Sequence, residues 1–382
     1  MRGRRRRSHT LVVGSTGSGK TVTQSWVATR AIEHGMGAVV VDPKGDPAMR
    51  ESLRSAARDS GAAFVEWTPD GPSVYNPYGR GSETQIADKV LAGERFTEPH
   101  YLRQAQRYMG YVVRALRRSG QETSLQRIVD HLRPSELELL ARSLPEAEAA
   151  RTHEYLDSLT SRQQSDLGGV RDRLAILAES DIGPWLDPET AGADRFDLLE
   201  AIARRAVVYF NLESDSRPLL AQMLAGAIVQ DLQAAVAKLQ AEPLATLVVI
   251  DEFSAVAAEH VIRLFGRARS AGVSLLLGTQ ELSDLRLAGR ENLLEQVMGN
   301  LSTLIAHRQV VPDSAALIAR LGGGKGAWRT TLRDDGSRTR TRTRVARLEP
   351  DDVMRLERGR AVVIPLSGGA AEDARVTRVF SA

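Results

Sequence analysis

The chain of 382 residues contains no cysteine. This absence excludes disulfide bonds, thiolate zinc sites and thiol nucleophiles. No uninterrupted apolar run approaches the 18 residues of a membrane-spanning helix, and no signal-peptide core follows the basic N-terminus. The seven histidines are scattered and form no H-E-x-x-H pair, which argues against a dedicated metal cage. We therefore expect a cytoplasmic protein, unless a partner holds it to a membrane.

The chain also has little net charge, because its 51 basic side chains are nearly balanced by 48 acidic ones. A net charge of +3 does not mark a nucleic-acid-binding protein, so any such function must rest on local patches. Five of the positive charges lie at the very start, at Arg2 and from Arg4 to Arg7. These arginines can touch phosphates or acidic lipid, or they form a solvated chain end.

One glycine-rich stretch follows a short apolar run and reads Gly14-Ser15-Thr16-Gly17-Ser18-Gly19-Lys20-Thr21. The spacing G-x-x-x-x-G-K-T, between a predicted strand and a predicted helix, is that of the phosphate-binding P-loop. Its glycines let successive backbone N–H groups converge on phosphate oxygens, and the helix adds its positive dipole end. Lys20 can reach the β- and γ-phosphates, and the Thr21 hydroxyl can bind Mg²⁺. The alternative is an ordinary glycine-rich turn; the spacing favours a nucleotide site.

Two later strand ends carry polar groups that would complete this site. Asp251 and Glu252 directly follow the apolar run Thr246–Ile250. A carboxylate there can hold the magnesium water shell, a role that fits Asp251, while Glu252 can orient or deprotonate the attacking water. Gln280 ends the next strand, and ligands of doubly wound sheets sit beyond such ends, so its amide can sense the γ-phosphate. Asp42 and Lys44 also follow a strand and can face the site.

The periodicity predicts an α/β fold with a mostly parallel sheet and helices on both faces. With the P-loop motif, the expected fold is of the P-loop NTPase (RecA-like) type. Strand and helix patterns alternate from Thr10 to Pro77 and resume at Ala206, whereas the spacing from Glu83 to Ser180 is helical throughout. The latter stretch predicts an inserted all-α domain. The predicted domains are residues 1–82, the first part of the nucleotide-binding domain with the P-loop; 83–190, the insertion; and 191–382, the second part, which ends in a hairpin.

The predicted hairpin centres on Asp334-Asp335-Gly336 and has an unusual second strand. Its arginines alternate with threonines, and they are Arg338, Arg340, Arg342 and Arg344. A period of two places all four guanidinium groups on one face, which suits a phosphate backbone. An exposed edge strand whose charges block aggregation is an equally good interpretation. The nearby Gly322–Gly326 segment lacks a preceding strand and a following Ser or Thr, so we interpret it as a flexible connection rather than a second phosphate loop.

Several motifs give the sequence a resemblance to a known family. They follow the P-loop in this order: Asp42-Pro-Lys-Gly-Asp46, Tyr75-Asn-Pro77, Val249-Ile-Asp-Glu-Phe253, and Ala271-Gly-Val with Gly278-Thr-Gln280. In order and spacing the chain resembles the type IV coupling proteins of conjugation and secretion, the TraG/TraD type, a branch of the FtsK/HerA superfamily. The resemblance covers nearly the whole chain. Asp46 stands where that family often has glutamate.

The resemblance implies a hexameric ring that hydrolyses ATP with Mg²⁺ at subunit interfaces and threads DNA through its channel. It implies Lys20 and Thr21 on ATP and magnesium, Asp251 on magnesium, Glu252 as the base and Gln280 as the sensor. From sequence alone Arg269 is a solvated helix end, but the resemblance makes it the preferred trans-acting arginine. The resemblance also implies relaxosome and secretion-channel proteins as partners.

Members of that family usually begin with transmembrane helices, whereas this chain reaches its first strand at about Thr10. The resemblance therefore implies a shortened form, a fragment, or a variant that a separate protein holds at the inner face of the cell membrane. Two other functions stay open. One is a HerA-like translocase that processes DNA, and the other is an ATP-dependent recruiter of secreted proteins that pumps no DNA.

Overall fold

The computed structural model describes residues 9–93, 98–256, 258–286, 292–332, 338–366 and 375–378. Arg2 to Arg7 and the Asp334–Gly336 turn lie outside these described residues. The strands are β1 (Thr10–Val13), β2 (Gly37–Asp42), β3 (Phe64–Trp67), β4 (Ser73–Tyr75), β5 (Asp194–Phe196), β6 (Val207–Asn211), β7 (Thr246–Ile250), β8 (Val273–Thr279), β9 (Thr303–Ala306), β10 (Gly324–Leu332), β11 (Arg338–Ala346), β12 (Arg360–Pro365) and β13 (Arg375–Arg378).

The helices fall into two groups. Those that flank the sheet or follow it are α1 (Lys20–Glu33), α2 (Pro47–Ser60), α9 (Leu198–Ala203), α10 (Pro218–Leu239), α11 (Phe253–Val256), α12 (Ala258–Ala271), α13 (Leu293–Asn300), α14 (Pro312–Leu321) and α15 (Pro350–Met354). Those between β4 and β5 are α3 (Glu83–Val90), α4 (Pro99–Arg118), α5 (Leu125–Asp130), α6 (Pro134–Ala141), α7 (Glu146–Asp157) and α8 (Ser161–Ala178).

Nine strands form one sheet in the order β13-β12-β9-β1-β8-β7-β2-β6-β3. The seven strands from β9 to β3 are all parallel, and β12 alone runs antiparallel to its neighbours β9 and β13. The alternation of buried side chains separates two cores. Val12 and Val40 pack with the apolar residues of α1 and α2 on one face, while Val13 and Val41 belong to the core with α10 and α12 on the other. The predicted mostly parallel α/β fold with helices on both faces is confirmed.

The described residues between β4 and β5 form helices and their connections as predicted, and the two strands pair in parallel where the chain leaves and re-enters the α/β part. A buried polar cluster fixes this junction to α10. The Tyr75 hydroxyl donates to the Asp231 carboxylate at 2.9 Å, and the Lys89 ammonium donates to the same carboxylate and to the Pro77 carbonyl. Buried charges of this kind are stable only when they are paired. The division at residues 82 and 190 stays a prediction.

Helix α10 is the one helix among the described residues that is long and apolar enough to cross a membrane. Its apolar run is interrupted by Gln222, Gln230 and Asp231, and 61% of the relevant window is buried inside the protein. It packs against α12 and α3. The helix therefore meets the length and composition test while serving as a core helix of this fold.

The segment after β9 differs from the prediction. Helix α14 lies between Pro312 and Leu321, and β10 begins at Gly324. The interpretation of Gly322–Gly326 as a flexible connection is therefore wrong, because Gly324 to Gly326 are paired in register with Arg344 to Ala346. Strands β10 and β11 form the predicted antiparallel hairpin as a separate two-stranded sheet.

Candidate functional site

Three adjacent strands place the predicted site residues at one edge of the sheet. Strands β1, β8 and β7 are neighbours and run parallel, so their carboxyl ends meet. The P-loop follows β1, Asp251 and Glu252 follow β7, and Gln280 follows β8. In parallel sheets with helices on both faces, this edge is where ligands bind. The sequence places these side chains at the same edge, and the structure brings them into contact.

Lys20 lies at the centre of these contacts. Its ammonium group donates to Asp251 Oδ1 at 2.9 Å and to Glu252 Oε1 at 2.6 Å, and all three side chains are buried. A buried cation between two carboxylates satisfies charges that are costly to leave unpaired. The lysine that would serve a phosphate is therefore held by two protein carboxylates in this arrangement.

One carboxylate oxygen of Glu252 accepts hydrogen bonds from three side chains. Besides Lys20, the Gln280 amide donates to Glu252 Oε1 at 3.1 Å, and the Lys44 ammonium lies 3.3 Å from it. The Glu252 backbone has a φ of 44°, a left-handed conformation that costs a non-glycine residue about 1 kcal/mol or more. The surrounding contacts hold this backbone in place, and strain of this kind clusters at functional sites.

The pKa values of the two carboxylates are shifted in opposite directions. Burial raises the pKa of Asp251 above its usual value, and the charge and hydrogen bond of Lys20 oppose this effect only in part. Burial also acts to raise the pKa of Glu252, but Lys20, Lys44 and the Gln280 hydrogen bond outweigh it and lower that pKa. Glu252 is therefore ionised at neutral pH, the state a general base needs.

The P-loop backbone depends on glycine at two positions in the left-handed region, Gly17 at φ 74° and Gly19 at φ 111°. His307, which follows β9, packs against the loop and was not identified from the sequence. Its Nε2 lies 2.8 Å from Thr23 Oγ1, and burial lowers its pKa, so the ring is neutral at pH 7. A Cβ at position 14 would come within 2.8 Å of the His307 Cβ. In the sequence, the only feature that could have identified His307 was its position just after a predicted strand.

The loop fits a nucleotide phosphate group. Within the described part of the chain, the buried Ser15 and Ser18 hydroxyls and both polar atoms of the Gln24 amide have no hydrogen-bond partner. Polar groups buried in this way normally have partners, so unpartnered polar atoms in the loop and in the helix that follows it fit a polar ligand. Thr21, in the first turn of α1, and Asp251 supply the hard oxygen ligands that Mg²⁺ prefers. The residues present therefore fit a nucleoside triphosphate with its magnesium ion.

Gly278 is required by the close packing behind Asp251. A Cβ at this position would lie 2.3 Å from Asp251 Oδ1 and 2.6 Å from the Gln24 amide nitrogen. We expect Gly278→Ala to destabilise the fold by about 1–3 kcal/mol through overpacking and to weaken nucleotide binding by displacing Asp251. Thermal unfolding and a nucleotide titration measure both effects.

The matched control for that substitution is Gly266→Ala in helix α12. A Cβ there meets nothing within 4 Å, so the change should leave stability equal or raise it by up to about 1 kcal/mol, since alanine is the better helix residue. Equal unfolding temperatures for the two variants would contradict the close packing described behind Asp251.

Two residues that the sequence predicts at the site, Asp42 and Arg269, make their hydrogen bonds elsewhere. The Asp42 carboxylate accepts from the backbone N–H groups of Lys44, Gly45 and Asp46 and from the Tyr209 hydroxyl. Its charge also acts to raise the pKa of Asp251. Asp42 shapes the turn that carries Lys44 toward Glu252.

Arg269 is not brought to the other site residues of its own chain. It lies in the last turn of α12, just before β8 begins, whereas Gln280 follows the far end of that strand, roughly 23 Å away at the usual rise per residue. Its guanidinium donates to the Asn300 carbonyl at 2.9 Å. A role at the site of a neighbouring subunit stays a prediction.

The sheet order, the loop and the helix that follows it define the class: the chain has the P-loop NTPase fold. A family model described as the type IV secretion-system coupling protein DNA-binding domain matches residues 1–368. The chain therefore belongs to the type IV coupling protein family.

Solved structures share the fold of this chain, and a curated protein matches part of its sequence. The coupling protein TrwB, in an unbound form, superposes with a TM-score of 0.67 at 16% identity and covers 95% of this chain and 86% of that one. VirB4 of Thermoanaerobacter pseudethanolicus superposes with a TM-score of 0.60 at 14% identity, covering 96% and 89%. The type 4 coupling protein DotL of Legionella pneumophila is 32% identical over 101 residues, which cover 22% of this chain and 13% of DotL.

Proposed function

We propose that this protein is an ATP-hydrolysing DNA translocase that delivers DNA to a type IV secretion or conjugation channel. The observation that carries the proposal is the contact between Lys20 and the two carboxylates, Asp251 and Glu252, with the Gln280 amide on the same oxygen. These are the groups that phosphoryl transfer to water needs, gathered in one cleft of a coupling-protein chain. Related TrwB structures contain ADP and Mg²⁺ or a non-hydrolysable ATP analogue, which supports ATP as the nucleotide.

Each group has one role in this proposal. The N–H groups of Gly14, Ser15 and Ser18 already donate to backbone carbonyls, so the remaining P-loop N–H groups, up to Thr21, bind the phosphates. Lys20 leaves the carboxylates to contact the β- and γ-phosphates. Thr21 and Asp251 would hold Mg²⁺, which neutralises charge on the phosphates when it is bound. Glu252, ionised at neutral pH, orients the attacking water and accepts its proton. The Gln280 amide reports the presence of the γ-phosphate.

The departure of Lys20 would alter the contacts of Glu252. While Lys20 binds its carboxylate, Glu252 is not a strong base, because the ammonium group stabilises its charge. When a phosphate takes the lysine, only Lys44 and Gln280 remain on that oxygen. Binding of the nucleotide would thus free the base that takes the proton from the attacking water, and hydrolysis in an incomplete site would be slow.

Translocation is tested directly by displacement of a triplex-forming oligonucleotide from a duplex. We expect displacement with ATP and Mg²⁺, and none with a non-hydrolysable analogue or with Glu252→Gln. ATP turnover without displacement on any DNA would reject translocation and favour the ATP-dependent recruiter of secreted proteins. If the purified chain displaces the oligonucleotide but its function in cells does not depend on a secretion channel, a HerA-like DNA-processing translocase would be favoured.

We also propose that the chain assembles as a hexameric ring in which Arg269 completes the site of the neighbouring subunit. A mixture of Arg269→Ala and Glu252→Gln chains should then recover turnover that neither variant has alone, because some interfaces combine an intact base with an intact arginine. Such an arginine contributes about 10³–10⁵-fold in known NTPases. Steady-state ATP turnover measures the recovery.

The control for the mixing experiment is Arg267→Ala, which removes an exposed arginine from the same last turns of α12. It should retain turnover by itself. If the Arg269 and Glu252 variants stay as inactive together as they are apart, Arg269 does not act between subunits. The relaxosome and channel proteins, and a location at the inner face of the membrane, belong to the same proposal.

A further inference from the structure

The β10–β11 hairpin is the most strongly charged element in the described part of the chain. The two strands pair over nine residues, from Gly324 with Ala346 to Leu332 with Arg338. Their charged side chains are all basic: Lys325, Arg329, Arg338, Arg340, Arg342 and Arg344. Among the described residues, no carboxylate lies within ion-pair distance of the four β11 arginines, which are exposed. A surface with this much uncompensated charge of one sign attracts a polyanion.

The register adds an aromatic side chain to the arginine face. Trp328 is directly opposite Arg342, and Thr330 is directly opposite Arg340, so Trp328 shares the face of all four arginines. The Arg340 guanidinium lies 5.0 Å from the centroid of the Trp328 ring. Trp328 is nevertheless 57% exposed. This face thus carries a row of arginines and an exposed tryptophan ring that one of them contacts.

This arrangement decides between the two interpretations of the arginine strand. Charges that only protect a strand edge do not need a large exposed aromatic side chain beside them, and an exposed tryptophan would itself favour association. Cationic side chains that follow a backbone, with an aromatic ring on which a base stacks, are how proteins bind single-stranded nucleic acid. Successive arginines on the face are spaced about 6.8 Å apart, so the row extends over several phosphates of one strand.

We propose that the β10–β11 hairpin is a binding surface for single-stranded DNA, with the four β11 arginines on the phosphates and Trp328 stacked on a base. Duplex DNA fits less well, because its bases are already stacked on one another. The proposal rests on DNA being the cargo of the proposed function, and it names the element that contacts that cargo.

The hairpin is connected to the candidate nucleotide site, which supports a role in nucleotide-driven movement of DNA. The Gln309 amide donates to the Gln280 carbonyl at 3.2 Å, and the Val310 N–H donates to Glu281 at 2.9 Å. Helix α14 starts two residues after Val310 and ends just before the hairpin begins. The hairpin is therefore attached, through one short helix, to the residue whose amide contacts Glu252.

The test compares two variants that each lose two positive charges from the hairpin. Arg340→Gln with Arg342→Gln removes charge from the Trp328 face, whereas Lys325→Gln with Arg329→Gln removes it from the opposite face. Fluorescence anisotropy of the full chain with a labelled oligo-dT measures affinity across a salt series. We expect the first pair to weaken binding at least tenfold and to reduce the salt slope by about 1.4, for two lost phosphate contacts. The second pair should weaken binding less than threefold.

Trp328→Ala separates stacking from charge. It should weaken oligo-dT binding by about 5–150-fold, the equivalent of ~1–3 kcal/mol for one stacked base, and leave duplex affinity unchanged. Thermal unfolding of every variant checks that the fold is intact. Equal losses for the two charge pairs, or an equal effect of Trp328→Ala on duplex DNA, would overturn the proposal. Variants that self-associate but bind oligo-dT normally would also overturn it, in favour of edge protection.

These outcomes are distinct from a failure of the proposed function. If the wild-type chain binds neither single-stranded nor duplex DNA, then the DNA translocase proposal fails together with the hairpin. If the wild type binds DNA and all hairpin variants bind it equally well, only the hairpin proposal fails.

Discussion

Lys20→Ala is expected to abolish ATP binding and turnover and also to destabilise the nucleotide-free protein. In the proposed mechanism the lysine contacts the phosphates, and losing one such stabilising group costs about 10²–10³-fold or more in rate. It is also the buried cation between Asp251 and Glu252. Removing it leaves two buried carboxylates against each other, which costs about 3–5 kcal/mol. Turnover, nucleotide titration and denaturant unfolding measure the three effects.

The control is Lys44→Ala, because this lysine contacts the same Glu252 oxygen from a position that is 45% exposed. An exposed ion pair contributes little, about 0–1 kcal/mol, so this variant should unfold almost like the wild type. Lys20→Ala with unchanged stability would contradict the buried cluster as described. Lys20→Ala with normal ATP turnover would remove the P-loop from the chemistry.

Glu252→Gln is expected to stop hydrolysis while ATP still binds. The glutamine side chain has the same shape, and its carbonyl oxygen can still accept the hydrogen bond from the Gln280 amide. It cannot, however, accept a proton from water. General-base catalysis contributes about 10²–10⁴-fold, so single-turnover hydrolysis should fall by that factor. The dissociation constant for ATP with Mg²⁺ should stay within a few fold of the wild type, or become smaller, since a competitor for Lys20 has lost its charge.

Glu51→Gln is a suitable control, since Glu51 is an exposed carboxylate on helix α2 that pairs with Arg54 of the same helix. It should leave both binding and turnover unchanged. Loss of ATP binding in Glu252→Gln at intact stability would show that Glu252 acts in binding rather than as the base. Full turnover would assign the base to another residue.

The sequence was sufficient for the fold class and for placing the candidate residues at one edge of the sheet. Apolar runs with buried residues on both faces, such as β2, are typical of parallel strands, and glycine spacing identifies the P-loop without any tertiary information. Residues that directly follow such strands, as Asp251 and Gln280 do, must lie at one edge once the strands are parallel. These inferences depend only on local pattern and on the geometry of parallel sheets.

Contacts that depend on tertiary structure could not be predicted. His307 is one histidine among seven, and only the pairing of β9 beside β1 brings it to the P-loop. The sequence suggested that Asp42 and Lys44 face the site, but only the backbone turn shows that Asp42 folds back on three N–H groups. Likewise, the strand period places four arginines on one face, while the register of β10 decides that Trp328 shares it.

The central claim is that this chain hydrolyses ATP at the Lys20 site and that DNA controls the rate. The most direct measurement is steady-state ATP turnover by the purified chain with no DNA, with oligo-dT and with duplex DNA, each beside Glu252→Gln. The account predicts turnover that requires Mg²⁺, rises when DNA is added, and falls about 10²–10⁴-fold in the variant. Turnover that neither DNA changes, or that is undiminished in Glu252→Gln, would contradict it.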